Sequence, residues 1–345
     1  MARTPTTRDD APAYLLRYAA RRAEPAVLPT VDGPNSPGEP ARPAFVARAR
    51  ERATRRALAE LDLAAAPPGR TAAFARETVA PRELQWTESV RRKVGEAIDV
   101  RLIRHGQTQG YISDSALTAL GRWQSHRKGQ DLAKGMQEGS RARIVHAPTA
   151  RARETAEGLA EGLAQAVARY GIGDVTIEDP EPIDGFRNFQ MWFNGRELDI
   201  TSAFQEFANL LERYERDGGG DRPGWMVELD RIYRIQFAGG DPITAWLTSP
   251  THYVEPPGLV VRRYWQAIVD EVRVATPGTR VFVCAHSGPI RAVAAAAVGH
   301  DPGEPNNVED VRIRVHRDLE HATLTYRGRG LEIDIPTTVT PTWAC

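Results

Sequence analysis

The stretch Ile98-Asp99-Val100-Arg101-Leu102-Ile103-Arg104-His105-Gly106-Gln107-Thr108 runs apolar and β-branched before it breaks at a His-Gly step. It marks where one kind of sequence gives way to another. Downstream, short β-type runs recur at 143–145, 175–177 and 280–285, separated by helix-like stretches at 118–134, 150–170 and 289–298. Strands alternating with helices of this length define an α/β sheet. The stretch 201–216, followed by Gly218-Gly219-Gly220 and a long passage to Pro257, reads as an inserted helical lid spanning about 196–257. Residues 311–315 and 322–326 read as a terminal β-hairpin, and no internal repeat is present.

Upstream, residues 1–95 differ in charge, with 17 Lys/Arg against 11 Asp/Glu, so that a net +6 is balanced by −6 over the remainder. They read as a separate extension, with helix-like pieces at 13–22 and 44–64 around a Pro/Gly-rich linker at 25–43. A basic arm of this kind suits an RNA or partner contact. The acidic residues scattered through it break the stripe that a polyanion needs, which favours a solvated helical appendage.

Across all 345 residues, 41% hydrophobic and 26% charged, the chain can bury a full core. Its 45 basic and 45 acidic residues leave no overall field to gather nucleic acid or anionic lipid. Only Lys93, Lys128 and Lys134 are lysines, so a single arginine carries little information and position must decide. Two cysteines, Cys284 and Cys345, are too few for a disulfide framework or a cysteine-rich zinc site, which fits a reducing cytoplasm. The longest apolar runs fall far short of the roughly 20 residues of a spanning helix. The first 20 residues lack the apolar core of a secretory signal.

Chemistry concentrates at strand ends. In an open α/β sheet ligands sit beyond the carboxyl ends of the strands, where the first run delivers Arg104, His105 and Gly106. An imidazole there can attack phosphorus while a guanidinium holds the equatorial oxygens. A loop then closes into a helix at Leu117-Thr118-Ala119-Leu120-Gly121-Arg122-Trp123-Gln124. The second strand leads to Ala147-Pro148-Thr149-Ala150-Arg151-Ala152-Arg153-Glu154-Thr155-Ala156, which sets Arg151 at a helix start. The last apolar strand ends in His286-Ser287-Gly288-Pro289-Ile290-Arg291, a second imidazole before a helix N-terminus that favours an anion.

These four ordered stations resemble the histidine phosphatase superfamily, the phosphoglycerate mutase-like enzymes. The resemblance covers about 98–298 without the inserted stretch. It implies a three-layer α/β/α fold over 96–345 and a phosphohistidine formed on His105. It also implies a phosphoryl seat built by Arg104, Arg151 and a protonated His286, with donors from Thr108, Ser287 and Gly288. The implied activity is phosphomonoester or phosphoanhydride hydrolysis on a phosphorylated small metabolite, with no cofactor and no metal. Nucleic acid and membrane are not expected partners, and a homodimer is left open.

The sequence departs from the family pattern at two places. Tyr111 stands where the family often has Asn, and Phe186 stands where it has the Glu that protonates the leaving oxygen. Asp184 is the expected substitute acid, with Glu181 behind it. If neither serves, the chain is restricted to good leaving groups or binds phosphorylated ligands without turnover; phosphomutase action is a further alternative. The aromatic run 185–193 reads as core in preference to a stacking wall. The segment Ala285-His286-Ser287-Gly288-Pro289 lacks the glycines of a serine-hydrolase elbow, and His126, His146, His252, His300, His316 and His321 show no metal-ligand spacing.

Overall fold

A computed structural model describes residues 97–110, 115–216 and 220–336. The expected N-terminal extension, its helices and linker, and Tyr111 lie outside the described residues. The central sheet has the strand order β10-β9-β8-β1-β7-β2-β3, with β4 also paired to β2. Its middle strands are β1 (Ile98–Arg104), β7 (Thr279–Ala285) and β2 (Arg141–His146), all mutually parallel. Such strands are covered on both faces and therefore read as near-continuous apolar runs.

The alternation of side chains sends each strand into two cores. Leu102, Val145, Val281 and Val283 pack on one face with α6 (Pro257–Val274) and α7 (Ser287–Val298). Ile103, Ile144, Phe282 and Cys284 pack on the other with α1 (Ala119–Ala133) and α2 (Ala150–Tyr170). The result is the expected three-layer α/β/α architecture, and the expected hairpin appears as β8 (Asp310–Val315) against β9 (His321–Tyr326). A third antiparallel strand, β10 (Arg329–Asp334), extends it. β3 (Thr176–Ile177) and β4 (Glu181–Pro182) are two-residue edge strands.

Between β4 and α6 the chain forms a hairpin, β5 (Gln190–Phe193) and β6 (Arg196–Asp199), then the helices α3 (Ile200–Arg216), α4 (Gly224–Phe237) and α5 (Pro242–Thr248). Their Phe207, Leu211, Leu229, Ile232 and Trp246 share one apolar cluster with Val260, Tyr264 and Ile268 of α6. This inserted segment thus packs into the main core beside the strand ends. None of the described helices is long and apolar enough to cross a membrane.

Candidate active site

Register brings the stations together. Arg104 lies opposite Ala285, and His146 opposite Cys284, so the three parallel strands end at one level. The backbone N–H of His105 donates to Ala285 O at 2.9 Å, and that of Ala147 to Cys284 O at 2.9 Å, which carries the alignment one step past the strands. The His105 and His286 rings therefore meet edge-on, centroids 5.5 Å apart at 65°. Helices α2 and α7 begin beside them, and neither has a side-chain cap on its first turn. The two helix N-termini give this end of the sheet a positive potential.

Hydrogen-bond chemistry fixes both tautomers. The Nδ1 of His105 lies 2.8 Å from Gly106 O, which can only accept, so Nδ1 carries the proton and Nε2 keeps its lone pair. Arg151 Nε donates to Nδ1 of His286 at 3.3 Å, so the His286 proton sits on Nε2, 3.4 Å from Thr149 Oγ1. Burial, reinforced by Arg151 and Arg104, pushes the His105 imidazole down to about 3. The same causes hold His286 well below the ordinary imidazole range. This runs against the expected imidazolium: burial and the neighbouring guanidiniums disfavour a further cation at His286.

Arg104 contacts Glu304 at 3.0 Å and Pro305 O, while its buried Nε has no partner among the described residues. A buried donor without an acceptor is costly.

The family-like motifs prove to be the scaffold of the His105 loop. Gly106 and Gly121 sit at backbone contact: a Cβ on Gly106 would lie 2.6 Å from Gly121 O, and one on Gly121 2.2 Å from Gln107 O. Thr118 caps α1 through the Gly121 N–H at 2.9 Å, and its own N–H donates to Gln107 O at 2.9 Å. Gln124 Oε1 accepts the Gln107 N–H at 3.1 Å. From α2, Thr155 Oγ1 accepts the Gly106 N–H at 3.0 Å, and Glu154 accepts the Leu117 N–H at 2.9 Å.

The loop and the helix starts open on a cavity of about 460 Å³. Arg104, His105, Thr108, Arg151, His286, Ser287 and Gly288 all line it. The Thr108 hydroxyl is donated to Gly110 O at 3.1 Å in this state.

Asp184 is not brought there. It opens a single 3₁₀ turn (Asp184–Phe186), its side chain is 76% exposed, and it pairs with Arg187 at 2.7 Å. Glu181 is likewise turned to Arg143 at 2.6 Å. Both expected acids are therefore corrected: the turn that buries Phe186 leaves its carboxylate-bearing neighbours on the outer surface. The carboxylates on the cavity are Asp241, before α5, and Glu304, in the loop before β8. Each already accepts from a guanidinium, Asp241 from Arg291 at 2.7 Å and Glu304 from Arg104.

Asn188 and Asn307 also line the cavity, the latter donating to His105 O at 3.1 Å. Asp241, Glu304 and Asn307 stand in no motif and were unreadable from sequence. Asn188 sits two residues past the position at which the acid was sought. Phe189 is at once core and wall: it stacks on Trp246 with centroids 4.2 Å apart and faces the cavity.

Two imidazoles and two guanidiniums thus meet at the carboxyl edge of a parallel sheet. Residues 100–170 match the model of the histidine phosphatase superfamily (branch 1), the family that the motifs resemble. No curated protein matches the sequence. Among solved structures, a mycobacterial glucosyl-3-phosphoglycerate phosphatase is 20% identical, over 65% of this chain and 92% of that one, with a TM-score of 0.37. A protein described as mycobacterial hydrolase 1 is 19% identical over 68% and 99%, TM-score 0.39. A phosphoglycerate mutase from Bacillus anthracis is 16% identical over 71% and 95%, TM-score 0.38. Likeness at this level carries no information on substrate.

Proposed function

We propose that the chain is a cytoplasmic, cofactor-independent phosphatase that works through a phosphohistidine on His105. The observation that carries this reading is the neutral His105 ring, its Nδ1–H tied to Gly106 O and its Nε2 lone pair left for attack beside Arg104, Arg151 and His286. Nε2 forms a bond to phosphorus as the bond to the ester oxygen breaks. Arg104, Arg151, the His286 Nε2–H and the α7 N–H groups stabilise charge on the equatorial oxygens. The leaving oxygen takes a proton from water. A second water then attacks phosphorus, the P–N bond breaks with its electron pair returning to Nε2, and the proton passes to solvent.

Wild-type protein should release phosphate from p-nitrophenyl phosphate, and His105→Ala should lose at least about 10³-fold in kcat. An acid-labile, base-stable phosphoprotein should appear after rapid quench of the wild type only. Equal activity in the variant refutes the reading. Tight ligand binding without turnover supports the alternative of a silent phospho-ligand binder, which the missing acid favours.

A further inference from the structure

Besides Arg104 and Arg151, the cavity is lined by apolar side chains of the inserted segment: Phe189 before β5, Ile200 and Phe204 one helical turn apart on α3, Ile232 on α4, and Ile243 and Trp246 on α5, with Thr201, Gln236 and Asp241 as its polar members. The spacing Ile200/Phe204 presents both side chains on one helix face.

The wall begins at the phosphoryl seat itself. A Cβ on Gly288, two residues after His286, would lie 2.7 Å from Phe189 Cε1 and 3.5 Å from Ile243 Cδ1. A group bonded to a phosphoryl on His105 therefore meets hydrocarbon immediately.

Charge points the same way. Beyond Arg104 and Arg151, the only charged residues lining the cavity among the described ones are Asp241 and Glu304, both acidic. A second phosphate or a carboxylate on the substrate meets no further cation among the described lining residues. The leaving oxygen finds no free carboxylic acid either, because Asp184 is outside and Asp241 and Glu304 are engaged by Arg291 and Arg104.

Resting on the phosphatase reading above, we propose that the substrate is a phosphate monoester of an uncharged, ring-bearing phenol-type alcohol. Its ring packs against Phe189, Phe204, Ile232 and Ile243, and its phenolic oxygen leaves without strong general-acid help.

The test compares 1-naphthyl phosphate with 3-phosphoglycerate on the full chain. Hydrolysis of the aryl ester by the wild type should exceed that of the carboxylate-bearing competitor by at least about 100-fold in kcat/KM. Leaving-group reactivity contributes to that ratio, so binding is measured separately by calorimetry on His105→Ala, where naphthyl phosphate should bind at least about tenfold tighter. Ile243→Lys, at a partly exposed wall position, should cut the naphthyl preference about tenfold or more, chiefly through KM.

Equal binding of the two esters to His105→Ala, or a wild-type preference for 3-phosphoglycerate, overturns the inference while leaving the phosphatase reading intact. Absence of all turnover together with a retained naphthyl binding preference sinks the phosphatase reading and supports the apolar recognition. Should the lysine variant not fold, Phe204→Asn reads the same wall.

Discussion

Thr155→Val tests whether the α2 motif serves the nucleophile from behind. The Thr155 hydroxyl is fully buried, accepts the Gly106 N–H at 3.0 Å and donates to Arg151 O at 2.7 Å. Valine keeps the shape and removes the acceptor, so one buried backbone N–H next to His105 loses its partner. The Arg151 carbonyl still accepts along its helix, so a single orphaned donor is the effect, about 1–3 kcal/mol of stability. For a domain of this size that corresponds to a fall in Tm of about 2–4 °C per kcal/mol.

The same change frees the loop that carries His105, and a misplaced nucleophile loses about 10–100-fold in kcat. Thermal melts and p-nitrophenyl phosphate kinetics on wild type, Thr155→Val and Thr155→Ser read both quantities. Serine restores the hydroxyl and should recover most of the rate, although it loses a buried methyl. A valine variant within about 0.5 kcal/mol of wild type and fully active would refute the scaffold argument.

Two further outcomes follow from the same geometry. His105 and His286 have folded values below the unfolded imidazole value of about 6.5. Below that pH the unfolded chain binds protons the folded one excludes, so stability falls as pH drops from about 6.5 toward 3, by up to about 1.4 kcal/mol per pH unit for each ring. Denaturation at pH 5, 6 and 8 should show this slope, and saturating tungstate, whose charge favours imidazolium, should flatten it; a slope unchanged in His286→Gln would count against the assignment. Separately, Glu255→Ala should cost about 3–5 kcal/mol in urea unfolding, because it leaves Arg263, 7% exposed and paired at 3.0 Å, as an uncompensated buried charge; a loss under 1 kcal/mol would contradict it.

The sheet was legible where strands are buried on both faces. β1, β7 and the core of β2 show as apolar runs, and their ends fall where parallel register requires the ligand site. The hairpin β5–β6 was missed although Asn194-Gly195 announces it: the two residues have φ of 47° and 84°, the pattern of a type I′ turn. β10 follows Arg327-Gly328, with φ of 46° and 77°. An arginine in the left-handed region gives no such signal, and its conformation is held by contacts to Glu309 and the Pro302 and Glu304 carbonyls. Asp184 was chosen for closeness in sequence to Phe186, but a 3₁₀ turn rotates neighbours to opposite sides. Asp241, Glu304 and Asn307 reach the cavity through tertiary contacts alone.

The loop around Phe186 shows why an acid is absent there. Phe186 is fully buried against Tyr264, rings 5.5 Å apart at 78°, and the Tyr264 hydroxyl donates to Phe186 O at 2.7 Å. Arg263, held by Glu255, donates to the carbonyls of Gly185, Arg187 and Asn188 at 2.9 to 3.2 Å. With the four consecutive carbonyls of 185–188 clamped from the α6 side, the backbone cannot rotate residue 186 outward. A Glu at 186 would place a carboxyl in hydrocarbon instead of in the cavity. The side chain this clamp presents to the cavity is Asn188, whose oxygen accepts the Phe189 N–H at 3.0 Å and whose amide cannot supply a proton as a carboxylic acid does. On the proposed phosphatase reading, reactivity then falls to the leaving group, and the hydrocarbon lining at Phe189 and Ile243 favours the kind of alcohol that can provide it.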